Sequence, residues 1–380
     1  MNEIKFPSQI ARLAQTQTAF LQYFNPPTPT IRHIISPYRL APLGAHVDHQ
    51  GGAVLGVTIN TGTVLVFAPT AEPVVRLRSS NFTDEVSFAL SESDTAVSSD
   101  WGRYARGAVY ALQQQRPLRC GFTGYVDGSL LGAGLSSSAS VGLAYLLALA
   151  HANGFSLTPA ELVELDRLIE NEYLGLNNGI QDQTTITYGR ADALIMQNTR
   201  TREVSYLPHP AHAADVCWLI VFSGFTRELI SSGFNDRVAE CQQAAALLSS
   251  DAHILSDVVP QHYEQTRHQL PAHLQRRAAH YFSETARVAA GAAAWQVGDF
   301  ATFGRLMNES CHSSIAQYEC GSQPLIALQN IALQTEGIWG SRFSGGGYGG
   351  CLICLASVDQ VEQAAAQLLA DYIELYPEKK

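Results

Sequence analysis

Two glycine-rich segments constrain this chain more than any other feature. The first reads GAGLSSSAS, residues 132–140, and the second SGGGYGG, residues 344–350. Glycine tolerates positive φ and lets backbone approach another group closely, so each segment marks a tight loop against a ligand or other backbone. They lie far apart in the chain, so a fold using both at one site must bring its two halves together. In the first, glycines lead into three hydroxyls and then a helix. Free N–H groups at a helix start bind anions, and serine hydroxyls reach a Mg²⁺ that bridges phosphates. Gly132, Gly134, Ser136, Ser137 and Ser138 are therefore candidate phosphate-binding residues; a tight helix cap is the other use. No lysine follows, so this is not a Walker A loop. The second segment matches G-x-G-x-x-G at Gly345, Gly347 and Gly350. It opens an apolar strand, not a helix, which excludes a dinucleotide fingerprint. Gly345, Gly346 and Gly347 remain candidates for contact with a ligand.

A chain of 380 residues exceeds one ordinary core, and 46% hydrophobic residues can fill two. The patterning predicts strands across 31–100, a helix over 101–115, a strand before the first glycine loop, and a helix after it ending at Gly154. Thr158, Pro159 and Glu161 spell a capping box for a helix that stops at Gly175. LNNGIQDQTT, residues 176–185, reads as loop, and VCWLIVFSGF, residues 216–225, as strand. Helices follow from about residue 235 to the second glycine loop, and a last helix begins near Asp359. Two prolines in SYLPHPAHAAD, residues 205–215, mark a boundary, giving domains 1–210 and 211–380. This order fits an α+β fold better than a doubly wound sheet.

Charged residues make up 15% of the chain, net charge is −10, and no basic run occurs, which argues against a nucleic-acid partner. The N-terminus lacks a signal-peptide core. VGLAYLLALAHANG, residues 141–154, is too short to span a bilayer, so a cytoplasmic protein without a membrane partner is expected. Seven cysteines are scattered. Cys351 and Cys354 form a CxxC inside an apolar run and read as structural thiols.

Glu170 falls late on the capped helix and Asp182 in the loop beyond. Phosphoryl transfer needs a carboxylate for Mg²⁺ and often another to orient or deprotonate the attacking hydroxyl. Acids near a helix end are also ordinary solvated surface; Asp166 and Glu172 are nearby acids with no assigned role. GAHVDHQGG, residues 44–52, follows Arg39. Its His46, Asp48 and His49 suit a clamp on sugar hydroxyls, a transition-metal site, or a polar turn. Ala45 brings an uncharged methyl to that mostly polar loop.

Together and in this order, the segments resemble the GHMP small-molecule kinases and, within them, the galactokinases. The galactokinase sugar signature G-R-x-N-x-x-G-E-H-x-D-Y-x-G-G stands here as YRLAPLGAHVDHQGG, residues 38–52. GLSSSAS at 134–140, GIQDQ at 179–183, MNES at 307–310 and FSGGGYGG at 343–350 match later motifs. SPYRLAPLGAHVDHQGG, WGRYARGAVYAL, DRLIENEYLGLNNGIQDQ, YECGSQPLI and SRFSGGGYGGC are similar to the plant-type galacturonokinase branch. The resemblance spans nearly the whole chain.

It implies a two-domain GHMP kinase fold with the active site in the cleft between domains. The implied reaction passes a phosphoryl group from ATP, with Mg²⁺, to the anomeric hydroxyl of D-galacturonate, or alternatively of D-galactose. Asp182 would take or orient the hydroxyl proton, and Arg39 would stabilise Asp182 and the phosphoryl group. Glu170 and Ser137 would hold Mg²⁺. Residues Gly132 to Ser138 would cradle the ATP phosphates and Gly345 to Gly347 would close the site. His46 and Asp48 would bind sugar hydroxyls, Gly179 would offer backbone, and Phe234 stands roughly where a galactokinase tyrosine touches the sugar. Trp101 and residues 79–81 fall near the family's adenine pocket. A monomer or weak homodimer is expected.

Galactokinases carry at position 45 a glutamate that accepts from the sugar 6-hydroxyl. Against a C6 carboxylate, such a glutamate about 4 Å away would cost about 4 kcal/mol at an effective dielectric of 20. Ala45 therefore admits a uronate. His49 stands where galactokinases have tyrosine, and Leu130 where proline is usual. His49 and Arg227 are the candidate cations for the carboxylate. A hydrolase built on His46, Asp48 and His49 would leave both glycine loops unused. A non-catalytic sugar sensor would not need Asp182, Glu170 and Arg39.

Overall fold

The computed structural model describes residues 7–24, 30–92, 100–129, 132–211, 215–226 and 233–379. Leu130 and Arg227 lie outside the described residues. The first half comprises α1 (Gln9–Phe24), β1 (Arg32–Leu43), β2 (Ala53–Pro69), β3 (Val74–Ser79), β4 (Val86–Ala89), α2 (Arg103–Gln113), β5 (Phe122–Gly128), α3 (Ser137–Ala152), α4 (Pro159–Leu168), α5 (Gln181–Tyr188), β6 (Ala193–Asn198) and β7 (Val204–Pro208). The second comprises β8 (Val216–Phe222), α6 (Phe234–Leu248), α7 (Pro260–Thr266), α8 (Ala272–Gln296), α9 (Phe300–Ser313), α10 (Gln323–Ala332), β9 (Ile338–Phe343), β10 (Cys351–Ser357) and α11 (Val361–Leu375).

The long strand β2 is the spine of a seven-stranded sheet ordered β4-β3-β5-β2-β6-β7, with β1 also paired to β2. All pairs are antiparallel except β3 with β5. Helix α3 is apolar on every side, and a helix of that kind belongs inside; it packs with α2 and α4 against this sheet around Leu65, Val75, Leu143, Tyr145 and Leu165. The α4 cap forms as its sequence predicts: Thr158 accepts from Glu161 N, and Glu161 accepts in return from Thr158 N.

The second half builds a three-stranded antiparallel sheet, β8-β10-β9, beside its helices. A shared apolar cluster joins the halves: Tyr38 and Leu40 of β1, Trp295 of α8, Phe303 of α9 and Ile353 of β10. We propose the division at 210/211; the chain leaves the first sheet at Pro208 and enters the second at Val216.

Two expectations need correction or refinement, and the reading of the CxxC as structural thiols holds. Asp182 lies in the first turn of α5, not in a loop. Glu170 lies on a single π-helical turn, Ile169–Tyr173, that widens the end of α4. The two cysteines of the CxxC cannot pair along a strand, because an i, i+3 spacing puts them on opposite faces. Cys351 packs in the cluster shared by the halves and Cys354 in the core of the second half. All seven cysteines are free. Among the described residues no helix is long and apolar enough to cross a membrane.

Candidate active site

The two glycine loops meet. Cys351 N donates to Ala133 O at 2.8 Å, directly joining the segments. Gly134 and Gly350 both have positive φ, +74° and +99°. A side chain on Gly134 would lie 2.5 Å from Ser344 O, and one on Gly350 2.5 Å from the Ala133 carbonyl. Only glycine permits this approach with this backbone.

Arg39 is the junction. From β1 its Nη1 donates to Gly134 O at 2.9 Å and to Ser344 Oγ at 3.0 Å, one contact on each loop. Its Nε donates to Asp182 Oδ1 at 2.8 Å. Ser136 Oγ donates to the other oxygen, Asp182 Oδ2. Asp182 is thus fixed at both oxygens while its side chain keeps 25% exposure, as a group that must reach a substrate requires. Ser136 itself has φ +61°, so the turn places its hydroxyl before α3 begins.

Glu170 faces this group from the π turn. Burial and then the Asp182 charge push its pKa up to about 7, while Asn178 and Ser138 act in the opposite direction. Ser138, rather than Ser137, is the hydroxyl beside Glu170. One turn deeper in the same seam, Asp166 is completely buried with both carboxyl oxygens unpartnered. Burial, Glu170 and Asp182 hold its pKa well above the usual range. It fits there because Gly142 on α3 leaves room where any side chain would collide with it. Asp166 is therefore no surface acid. Carboxylate and hydroxyl oxygens of this kind suit a hard divalent cation, and the raised Glu170 pKa marks a carboxyl that gains by meeting one.

His46, Asp48 and His49 do not form a transition-metal triad. His46, with φ +57°, places Nε2 3.2 Å from Cys320 Sγ. The His49 ring nitrogens meet Tyr318 and Gln50, each at 3.0 Å. Asp48 accepts from Gln181 N at 3.3 Å, and Gly179 lies so close that a side chain there would overlap the Asp48 carboxyl. No group of three His, Cys, Asp or Glu residues suited to a metal occurs among the described residues. Burial lowers the pKa of His49 to about 3, so His49 supplies no cation. Burial and then Asp182 raise Asp48 to about 6. Phe234, at the start of α6, packs on both histidines, with centroids 6.4 and 5.8 Å away.

Ala45 is held by its backbone. Glu284 on α8 accepts from Gly44 N at 2.7 Å and Ala45 N at 3.2 Å, and His280 Nε2 donates to Ala45 O at 2.9 Å. His280 and Glu284 are four apart, on one helix face; that spacing is the only signal the sequence offered for them. Tyr318, flat against His46, was visible only as part of YECGSQPLI. Farther out, Trp101 stacks on Phe82, and Asn81 bonds both backbone groups of Gly128.

Known proteins resemble this chain in both halves. The family described as GHMP kinases N terminal domain matches residues 103–190, and GHMP kinases C terminal matches 289–374. The chain is 42% identical over 374 residues to a galacturonokinase of Arabidopsis thaliana, covering 92% of this chain and 88% of that protein. It is 33% identical to a galactokinase of Staphylococcus carnosus, covering 89% and 88%. The structure of Lactococcus lactis galactokinase complexed with galactose superposes with a TM-score of 0.90 at 28% identity, covering 97% of this chain and 95% of that one. The chain belongs to the GHMP kinases, as an ATP-dependent sugar kinase of the galactokinase and galacturonokinase type.

Proposed function

We propose that the chain phosphorylates the anomeric hydroxyl of D-galacturonate with ATP, giving galacturonate 1-phosphate and ADP. The observation that carries the chemistry is Arg39, bonded at once to Asp182 and to both glycine loops. Ala45 and the Arabidopsis relative point to the sugar.

In this reading Asp182 accepts or orients the proton of the anomeric hydroxyl, whose oxygen forms the new bond to the γ-phosphorus. The bond to the bridging oxygen breaks and ADP leaves. Arg39 holds the Asp182 carboxylate in place and offers positive charge to the transferring group. The backbone from Gly132 to Ser138 and the turn at Gly345, Gly346 and Gly347 bind the phosphates. Glu170 and Ser138 would hold Mg²⁺, which neutralises phosphate charge when bound. His46 and Asp48 bind sugar hydroxyls, Gly179 brings backbone near, and Phe234 walls the pocket. Trp101 and Asn81 border the adenine. The free thiols fit a reducing, cytoplasmic setting, and we propose a monomer or weak homodimer.

An ADP-release panel with galacturonate, glucuronate, galactose, glucose and arabinose tests the substrate. Galacturonate should give the highest kcat/KM; a preference for galactose would replace this reading with a galactokinase. Asp182→Asn should lose about a thousandfold in kcat, and near-normal turnover would remove Asp182 from its role.

A further inference from the structure

Beside the sugar loop, a chain of buried polar groups ends in a hydroxyl hydrogen with no acceptor among the described residues. Leu255 N donates to Gln50 Oε1 at 3.0 Å, which fixes how the Gln50 amide faces. Gln50 Nε2 therefore points at His49, 3.0 Å from Nδ1 and 3.2 Å from the His49 carbonyl. An amide nitrogen only donates, so Nδ1 is the acceptor and carries no hydrogen. The ring is neutral, with its pKa lowered to about 3 by burial, so its single hydrogen sits on Nε2. Nε2 lies 3.0 Å from Tyr318 Oη and donates to it. The Tyr318 hydroxyl must then send its own hydrogen elsewhere. It meets no acceptor among the described residues, although Tyr318 is completely buried. Buried donors normally have partners, so one left over at a ligand site is a binding group.

Tyr318 stands inside the sugar clamp. Its ring lies flat on His46, centroids 4.1 Å apart and planes at 7°. Phe234 meets the neighbouring His49 edge-on. A carboxylate only accepts, whereas a hydroxymethyl group both donates and accepts. A hydroxyl compelled to donate therefore matches a C6 carboxylate. A tyrosine at position 49, as galactokinases have, would rotate its own hydroxyl and leave the direction of the Tyr318 hydrogen open. Hydrogen bonds from neutral donors favour the ionised carboxylate without a cation.

We infer that Tyr318 binds the C6 carboxylate, and that His49, locked by Gln50, is the positioning residue that turns the Tyr318 hydroxyl toward it. This rests on the galacturonate reading. The test measures kcat/KM for galacturonate and galactose in Tyr318→Phe, His49→Tyr and the double variant. Each single change should lower the galacturonate-to-galactose ratio about tenfold, mainly through the KM for galacturonate. The double variant should lose no more than the worse single, because both break one chain. An unchanged ratio in Tyr318→Phe, or fully additive losses, overturns the inference. Nitrogen-15 spectra of histidine-labelled wild type, assigned with His49→Tyr, give a readout independent of turnover. A bare Nδ1 and protonated Nε2 at His49 are expected, and the opposite tautomer overturns the relay. If wild type fails on galacturonate the substrate reading falls and the carboxylate role with it, while the tautomer result stands, so the two failures are distinct.

Discussion

At the level of single residues, the proposed preference for a uronate rests on Ala45. Its N–H is held by Glu284 and its carbonyl by His280, so the direction of its side chain is fixed by α8. A glutamate there could not retreat by moving the backbone. Ala45→Glu should therefore lower kcat/KM for galacturonate by up to about a thousandfold, corresponding to about 4 kcal/mol of repulsion, and affect galactose far less. Parallel kinetics on both sugars check this; equal losses would mean that the change merely disturbs the loop. At this scale the sequence was partly legible. Ala45 stands out because its loop is mostly polar and a glutamate holds that place in galactokinases. Asp166 did not stand out. Its spacing resembles that of a surface acid, and only Gly142, from another helix, makes its burial possible. Tyr318 could not be recognised as a donor, because its role depends on an amide and an imidazole brought from the other half of the chain.

Among the elements, those with local signals were readable and those set by packing were not. The capping box at Thr158 and the apolar run of α3 state themselves within a few residues. α5 does not: Ile180 gives no side-chain cap, and the Thr-Thr-Ile-Thr run favours strand over helix. Helix α8 is one of the elements that tie the second half to the sugar loop, through Glu284 and His280. Burial alone would raise the Glu284 pKa, but Arg287, then His280, Arg342 and the Ser310 hydroxyl bring it down to about 2. Removing that charge leaves Arg287 and Arg342 without the carboxylate they share. Glu284→Gln should cost about 3 kcal/mol in urea unfolding at pH 7 and raise the sugar KM by freeing Gly44 and Ala45. A carboxylate whose folded pKa is depressed stabilises above its unfolded value and loses that contribution as pH falls. The gap between wild type and variant should therefore be full above about pH 4.5 and shrink as pH falls toward 2. A gap independent of pH would show that the charge is not what holds the loop.

For the whole molecule the decisive fact is that two distant glycine loops meet backbone to backbone. The need for both to converge could be read from the sequence; the way they converge could not, because the contact is backbone to backbone and leaves no side-chain pattern. Gly350 makes one of the closest approaches in that contact, and Gly154 provides its control. Both have positive φ, +99° and +73°, but a side chain on Gly154 would meet nothing within 4 Å. Gly154→Ala should thus cost only the left-handed strain, about 1 kcal/mol, with turnover unaffected. Gly350→Ala adds the collision with Ala133 and pushes apart the loops that Arg39 joins. It should cost clearly more stability and raise the KM for ATP at least about tenfold, since phosphate-binding backbone is lost together with the position of Asp182. Urea unfolding and ATP titration on both variants measure the two effects. If Gly350→Ala were no worse than Gly154→Ala, the close approach of the loops would not be what aligns the site.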